Sequence, residues 1–290
     1  MIKISDGFNV EHGYFDAFDK LKIFYRNWNP VKKNNEKAIF IGVHGGEVHS
    51  GNLKYVAEYF SDKGYPFYAL DRRGHGNCDV KSRMYVKDYN LYIKDIETFI
   101  KFAKEKEKAE KVYLVAHSNG GGQSIIVATR FPKLIDKMIL SAPSLKLFGT
   151  RLEVVLMKIM AFSIGTIFPK FIIKSTIKPR EIIRDESALE ERFNDELINR
   201  KFRARWVREI FRFQNDAKKN IHKLKVPTLF IVGTGDRLVD SYFTMEKFET
   251  IEQKDKMKLN VYEGYWHELY NEKQENRMRI FQDIEEFIKL

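Results

Sequence analysis

Short apolar runs alternate along the chain with segments whose apolar residues recur at helical spacing. This alternation is typical of a mostly parallel sheet with helices on both faces, so the predicted fold class is α/β. The runs predict six strands at residues 38–43, 67–70, 111–116, 137–142, 227–232 and 257–262, of which those at 38–43 and 111–116 are expected to be buried. Helical spacing appears in residues 85–103, 123–130 and 281–288, and residues 13–28 predict an antiparallel pair at one edge of the sheet.

Residues 144–220 interrupt the alternation, because they show only helix-like segments and no strand pattern. An insertion of this length between two strands is expected to form a helical cap, or lid, over one edge of the sheet. The predicted organisation is therefore a core of residues 1–143 and 221–290 with a cap of residues 144–220. The last cap helix is two-sided: it has an apolar stripe of Phe202, Trp206, Ile210 and Phe213 and a basic stripe of Lys201, Arg205, Arg208 and Arg212.

The chain of 290 residues has a formal net charge of +11, and the cap holds most of it, with 17 basic and 10 acidic side chains. An excess of basic side chains is compatible with binding to nucleic acid, to an anionic lipid surface or to an acidic substrate. No nucleic-acid-binding motif accompanies the charge, so no nucleic-acid partner is expected. The single cysteine, Cys78, excludes an intramolecular disulfide and favours a reducing, cytoplasmic compartment. The first six residues lack the apolar core of a signal peptide.

A serine lies between a predicted strand and a predicted helix, in the run Ala116-His117-Ser118-Asn119-Gly120-Gly121-Gly122. Small residues two positions before and after Ser118 are typical of a nucleophile elbow, since only Ala or Gly lets strand and helix approach so closely. The helix N-terminus then favours negative charge beside the serine. The alternative interpretation is a glycine-rich turn that connects a strand to a helix and has no catalytic role.

Serine becomes a good nucleophile only when a base takes its proton. His267 follows the last predicted strand, and Asp236 follows the strand before it. Both therefore lie at carboxyl ends of strands, where open α/β sheets place their sites. The chain order of Ser118, Asp236 and His267 is that of α/β-hydrolases. Asp240 is a rival for the acid, and Asp236 could instead be a turn or cap residue.

The sequence also offers donors for a developing oxyanion. His44-Gly45-Gly46 follows the first parallel strand, and the amide N–H groups of Gly46 and Asn119 are the expected oxyanion hole. His44 is expected to support this loop and not to react. The alternative is a plain glycine turn after a strand.

Five segments carry a resemblance to a known family: residues 44–51, 71–76, 116–121, 233–240 and 264–269. With them the chain resembles the α/β-hydrolases grouped with monoacylglycerol lipases and lysophospholipases, the serine-aminopeptidase-like hydrolase family. The resemblance implies an α/β-hydrolase fold, Ser118 as nucleophile, Asp236 and His267 as acid and base, and no cofactor. Members usually carry Gly and Met where Ala116 and Asn119 stand, Gly-Glu at residues 47–48 and Ser at residue 78. The resemblance therefore implies the mechanism more specifically than the substrate.

The expected activity is serine carboxylic-ester hydrolysis through an acyl-enzyme, with a monoacylglycerol or lysophospholipid as the first candidate substrate. The apolar cap favours an acyl chain, and the candidate cap contacts are Phe162, Ile167, Phe168 and Trp206. Residues 151–180 are apolar and basic, so contact with an anionic lipid surface is a further expectation, against simple packing on the sheet. Acyl transfer or aminopeptidase and amidase chemistry with the same residues stays open, as does a non-catalytic receptor or scaffold on the same fold. No metal-binding motif is present, and the sequence indicates no oligomeric state.

Overall fold

The computed structural model describes residues 7–78 and 83–289. Its centre is an eight-stranded sheet with the strand order β1-β2-β4-β3-β5-β6-β9-β10. These strands are β1 (Phe8–Asp16), β2 (Lys22–Pro30), β3 (Ala38–Val43), β4 (Phe67–Leu70), β5 (Lys111–His117), β6 (Lys137–Ser141), β9 (Thr228–Gly233) and β10 (Met257–Tyr262). The prediction of a mostly parallel α/β sheet is confirmed. Among the described residues, the antiparallel pairings of this sheet are β1 with β2 and β2 with β4, at the edge where the antiparallel pair was expected.

Helices cover both faces because the middle strands are apolar on both sides; every residue of β3 and β9 is buried. The helices are α1 (Lys54–Asp62), α2 (Asn90–Glu107), α3 (Asn119–Arg130), α4 (Arg151–Ile167), α5 (Glu186–Asn194), α6 (Ala204–Asn220), α7 (Ser241–Glu249) and α8 (Gln274–Lys289). Side chains of α2, α3 and α6 share one core with one face of the sheet. Side chains of α1 and α8 share a second core with the opposite face.

The strand order reverses at β3, since the chain passes from β3 to β4 on one side and returns to β5 on the other. Loops leaving the carboxyl ends of strands on either side of such a reversal diverge and open a crevice. The loop after β3 and the turn after β5 therefore meet at one place, and these are the segments in which the oxyanion donors and Ser118 were predicted.

Two boundaries differ from the predictions. Helix α2 begins at Asn90 and not near Tyr85, and the Asp88 carboxylate accepts a hydrogen bond from the Asn90 amide N–H at 2.8 Å at this start. Helix α3 begins at Asn119, directly after Ser118, and not at Gln123.

The expectation that residues 144–220 contain only helices is wrong. The short strands β7 (Ile172–Lys174) and β8 (Lys201–Arg203) pair antiparallel within this segment. Three residues are too few to show an alternating pattern, so no local pattern in the sequence marks these strands. Phe202 and Lys201 consequently lie on β8, and the two-sided helix α6 begins only at Ala204.

We call residues 144–220 the inserted segment, since they join the neighbouring strands β6 and β9. Within it α4 packs on α6, and α6 packs on α3 of the sheet layer. Ala161 and Gly165 form the packed side of α4, where a Cβ at Gly165 would lie 2.7 Å from the Ala204 carbonyl oxygen. Among the described residues no helix combines the length and apolarity needed to cross a membrane.

Candidate active site

Ser118 occupies the sharp turn between β5 and α3, with φ 51° and ψ −118°. This left-handed φ is strained for a residue with a side chain, and it persists only when the surroundings hold it. Gly120 makes the turn possible, because a Cβ there would lie 2.6 Å from the His44 carbonyl oxygen. The Ser118 main chain is fixed as well, since its N–H donates to the Ser141 carbonyl at 2.9 Å. The hydroxyl is thus held at the carboxyl end of the central strand.

The structure brings the three predicted triad residues together. His267 Nε2 lies 3.0 Å from Ser118 Oγ, and His267 Nδ1 donates to Asp236 Oδ2 at 2.7 Å. The other oxygen of Asp236 accepts the amide N–H groups of Leu238 and Val239 at 2.8 and 2.9 Å. Asp236 is therefore fixed by the main chain, and it fixes the tautomer in which His267 Nε2 is free to accept a proton.

The rival acid Asp240 has a different environment. Its carboxylate accepts the Phe243 amide N–H at the start of α7 and pairs with Lys146 at 2.7 Å. It is a helix cap with a lysine partner, and no hydrogen bond joins it to His267 in the part of the chain described.

Charges around His267 favour its protonated form. Burial disfavours the imidazolium, but the charge of Asp236 and its hydrogen bond, together with the charge of Glu268, outweigh burial and raise the pKa of His267. Arg192 acts in the opposite direction, lowering this pKa. A base stabilised as the imidazolium is suited to take a proton from a hydroxyl 3.0 Å away.

The loop that carries the predicted oxyanion donor Gly46 lies close to Ser118 and to the second predicted donor, Asn119. A Cβ at Gly45 would be 3.4 Å from Ser118 Cβ, and a Cβ at Gly46 would be 3.0 Å from Asn119 Nδ2. Within residues 7–78 and 83–289 neither the Gly46 nor the Asn119 amide N–H donates to a main-chain carbonyl. Two amides beside a nucleophile are suited to stabilise a negative oxygen.

The loop that carries Gly46 is supported from behind. His44 Nδ1 donates to the Gly45 carbonyl at 2.9 Å, while its Nε2 accepts the Arg72 main-chain N–H at 2.9 Å. His75 Nε2 donates to the Gly46 carbonyl at 2.7 Å. Burial lowers the pKa of His44 well below its ordinary value and that of His75 to about 3, so both rings are neutral. His44 therefore supports the loop, as the sequence suggested, and so does His75, whose role the sequence did not reveal.

A buried ion-pair group joins the inserted segment to this site, and sequence reasoning missed it. Arg192 of α5 donates to Glu47 Oε2 at 2.9 Å and approaches Glu268 at 3.5 Å. Glu47 directly follows Gly46, and Glu268 directly follows His267. Glu47 also accepts the hydroxyl of Ser175. The only sequence signal was the departure from the family pattern at residues 47–48.

The four candidate cap contacts separate into two groups. Trp206 is buried near Gly46, where a Cβ would be 3.7 Å from its ring, and it packs on Phe202 with ring centroids 4.8 Å apart. Phe162 is half-buried on α4. Ile167 and Phe168 are 67% and 62% exposed. Ile167 lies two positions after the packed Gly165, so it points away from the helix contact. For these two residues the structure gives a surface position.

No set of three or more His, Cys, Asp or Glu side chains in the described ranges lies close enough together to hold a metal ion. Two residues of the basic stripe are engaged internally, since Arg208 and Arg212 pair with Glu209 of the same helix. Arg212 also pairs with Asp88 of the core at 2.9 Å.

The sheet order and the serine turn after β5 are those of the α/β-hydrolases, and this is the class to which the fold and site assign the protein. A model of the Hydrolase_4 family (serine aminopeptidase, S33) matches residues 34–274, and the chain belongs to this family. The protein is therefore an enzyme of the hydrolase class.

Relatives with known names are similar over nearly their whole length. The chain is 27% identical over 286 residues to the monoglyceride lipase homolog of Monkeypox virus, covering 97% of this chain and 96% of the relative. It is 25% identical to the monoacylglycerol lipase of Mycolicibacterium smegmatis, covering 90% and 91%. The structure of a soluble variant of monoglyceride lipase from Saccharomyces cerevisiae, in complex with a substrate analog, matches with a TM-score of 0.84 at 18% identity, covering 99% and 96%. This last likeness shows the shared fold.

Proposed function

We propose that this protein is a serine carboxylic-ester hydrolase that acts through an acyl-enzyme. The observation that carries the proposal is the continuous hydrogen-bonded chain from Ser118 Oγ to His267 and on to Asp236, at 3.0 and 2.7 Å. A buried serine, imidazole and carboxylate in this order are suited to nucleophilic attack on an acyl carbonyl. Membership of a hydrolase family supports the same chemistry.

In the first half-reaction His267 Nε2 takes the proton of Ser118 as Oγ attacks the acyl carbon. The carbonyl oxygen becomes negative and accepts hydrogen bonds from the amides of Gly46 and Asn119. His267 then gives the proton to the leaving alcohol, and the acyl group stays on Ser118. In the second half-reaction His267 takes a proton from a water molecule, whose oxygen attacks the acyl carbon. His267 then returns the proton to Ser118 Oγ, and the carboxylic acid is released.

The proposed substrate is a monoacylglycerol, a lysophospholipid or a similar single-chain acyl ester, with the inserted segment as a lid. The names of the relatives support an acyl-glycerol ester. Trp206 beside Gly46 is then an apolar wall for the acyl group. The family description names an aminopeptidase, so hydrolysis of an aminoacyl amide by the same residues is the second candidate.

We further propose that α4 contacts a lipid surface, which would make the enzyme peripheral to a membrane inside the cell. Its outer side chains are apolar and exposed: Leu152, Val155, Leu156, Met157, Ile159, Met160 and Ile167. A contiguous apolar helix face of this kind is typical of interfacial helices.

A lysine cluster beside α4 contributes positive charge for an anionic surface; two of its members, Lys146 and Lys247, also pair with Asp240 and Glu246. The ammonium groups of Lys146, Lys218 and Lys247 lie 5.2, 6.0 and 5.0 Å from the ring centre of Phe243. Burial and the neighbouring charges, those of Lys158 on α4 first among them, lower the pKa of Lys218. An anionic headgroup would relieve this repulsion.

The first experiment labels the folded protein with a fluorophosphonate and measures hydrolysis of p-nitrophenyl esters of increasing chain length. We expect labelling in wild type and in Ser124→Ala, which removes another buried hydroxyl of α3, but none in Ser118→Ala. Rates that rise beyond acetate support a lipid-type ester. Absence of labelling at Ser118 refutes the serine mechanism, and cleavage of aminoacyl amides without ester hydrolysis favours the second candidate.

The second experiment measures sedimentation with phosphatidylcholine vesicles that contain or lack phosphatidylglycerol. Ile159→Asp, at a position 57% exposed on α4, is compared with Val31→Asp, at a position 65% exposed after β2. We expect only the first to lose binding, with hydrolysis of p-nitrophenyl butyrate unchanged in both. Equal binding by both variants contradicts the α4 contact, and binding that ignores added salt and phosphatidylglycerol contradicts the lysine contribution.

A further inference from the structure

The side chain of Arg72 is buried among neutral partners. Arg72 is 1% exposed, its Nη1 donates to Gln123 Oε1 at 3.2 Å, and its Nη2 donates to the Gly45 carbonyl. Its guanidinium lies 5.3 Å from the ring centre of Tyr92. Among the residues described, no carboxylate forms an ion pair with it. Burial lowers the pKa of Arg72 to about 10, so the group stays charged near neutral pH.

A buried cation with no counter-charge is costly, and proteins normally pair it. The next residue shows the usual solution, since Arg73 binds both oxygens of Asp95, at 2.6 and 2.7 Å. The titratable side chains nearest to Arg72 do not neutralise it, because His44 and His75 are both neutral. The positive charge is therefore uncompensated in the resting protein.

The position of this charge relates it to the candidate oxyanion hole. The Gly45 carbonyl that accepts Arg72 belongs to the same peptide group as the Gly46 N–H. A hydrogen bond from a cation to the carbonyl of an amide polarises that amide and strengthens its N–H as a donor. Gln123, the other partner, lies on α3, whose first residue is the second donor, Asn119. Arg72 thus contacts the elements that hold both donors.

We propose that Arg72 is a positioning residue for the oxyanion hole: it orients and polarises the Gly45–Gly46 peptide and supplies positive potential for the negative oxygen of the transition state. This inference rests on the proposed serine mechanism. It accounts for a buried cation without a partner, because the missing negative charge appears only when Ser118 has attacked the carbonyl.

The test compares Arg72→Met with Arg72→Lys, which keeps the charge, and with Arg130→Met, which removes a half-exposed charge from the far end of α3. Two inhibitors of equal chain length are used. A trifluoromethyl ketone adds Ser118 and forms an oxyanion, whereas the matching methyl ketone binds without forming a stable adduct. Kinetic constants are measured with p-nitrophenyl butyrate at constant pH, and thermal unfolding checks each variant.

For Arg72→Met we expect kcat to fall about 10- to 100-fold, less than the loss of a whole oxyanion donor, with KM changed less than about threefold. The trifluoromethyl ketone should weaken by the same factor as kcat/KM, while the methyl ketone is unaffected. Arg72→Lys should restore most of the activity, and Arg130→Met should resemble wild type. If Arg72→Met does not fold, Arg72→Gln replaces it with the same required outcomes.

Unchanged trifluoromethyl ketone affinity in an impaired variant would overturn the proposal, as would equal weakening of both ketones, which indicates a collapsed pocket. Full activity in Arg72→Met would overturn it as well. Failure of the proposed function looks different, because wild type itself would then show no preference for the trifluoromethyl ketone.

Discussion

Replacement of Asp236 by Asn tests the candidate triad with almost no change in shape. In the structure Asp236 Oδ1 accepts two main-chain N–H groups, from Leu238 and Val239. An asparagine at this position must keep its carbonyl oxygen on those amides, because its NH₂ group cannot accept them. The NH₂ group therefore takes the place of Oδ2. In the wild-type structure Oδ2 accepts a hydrogen bond from His267 Nδ1 at 2.7 Å.

This orientation reverses the roles of the imidazole nitrogens. Nδ1 must now accept a hydrogen bond, so the proton moves to Nε2, and His267 donates to Ser118 when it should accept. The imidazolium also loses its carboxylate partner. Because the substitution forces His267 into the wrong tautomer, we expect kcat to fall about 10⁴-fold, which corresponds to about 5.4 kcal/mol of activation barrier.

The assay is steady-state hydrolysis of p-nitrophenyl butyrate, with the burst of p-nitrophenol reporting acylation. Asp240→Asn is the matched control, since Asp240 caps α7 and pairs with Lys146. It should retain kcat within about threefold, because a cap contributes to stability and not to the transition state. If Asp236→Asn keeps more than a tenth of wild-type kcat, or if Asp240→Asn loses as much activity, the assignment of the acid is wrong.

Three further outcomes are expected. Glu268→Gln should move the acid limb of the kcat/KM profile to lower pH, because His267 must be neutral to act as base and loses a charge that raises its pKa. Arg192→Met should move the same limb to higher pH, since it removes a charge that lowers that pKa; shifts in one direction for both variants would contradict this electrostatic account. Gly120→Ala should cost about 1–3 kcal/mol in urea unfolding and abolish fluorophosphonate labelling, and a variant as stable as wild type would contradict the close strand–helix approach.

Much of the fold follows from the sequence because the central strands are buried on both faces. Continuous apolar runs such as residues 38–43 and 227–232 identify β3 and β9 to within a residue, and every residue of these two strands is buried. The inserted segment is less predictable. Its strands β7 and β8 are three residues long and depend on pairing with each other, across residues that are distant in sequence.

The candidate site also has one part that the sequence predicts and another that it does not. Ser118, Asp236 and His267 follow strands, so their convergence is implied once the sheet is recognised. The contact between Arg192 and Glu47 spans 145 positions and begins in the inserted segment, whose placement no local pattern fixes. The exposure of Ile167 and Phe168 could not be predicted for the same reason, because it depends on which side of α4 packs against α6.

The two parts of the inserted segment are attached with different strength, which bears on how a lid would open. Helix α5 is held by the buried pairs of Arg192 and by Asp195, which pairs with His49 at 2.7 Å. Displacement of α5 would take Arg192 away from the buried carboxylates of Glu47 and Glu268, and buried charges without a partner are disfavoured. Helix α4 packs mainly on α6 through the small residues Ala161 and Gly165 and leaves its apolar side exposed. We therefore expect amide hydrogen exchange to be faster in α4 than in α5, and lipid vesicles to slow it in α4 alone. Faster exchange in α5 would mean that the lid opens by releasing Arg192, and the ion pairs would then form part of the gate.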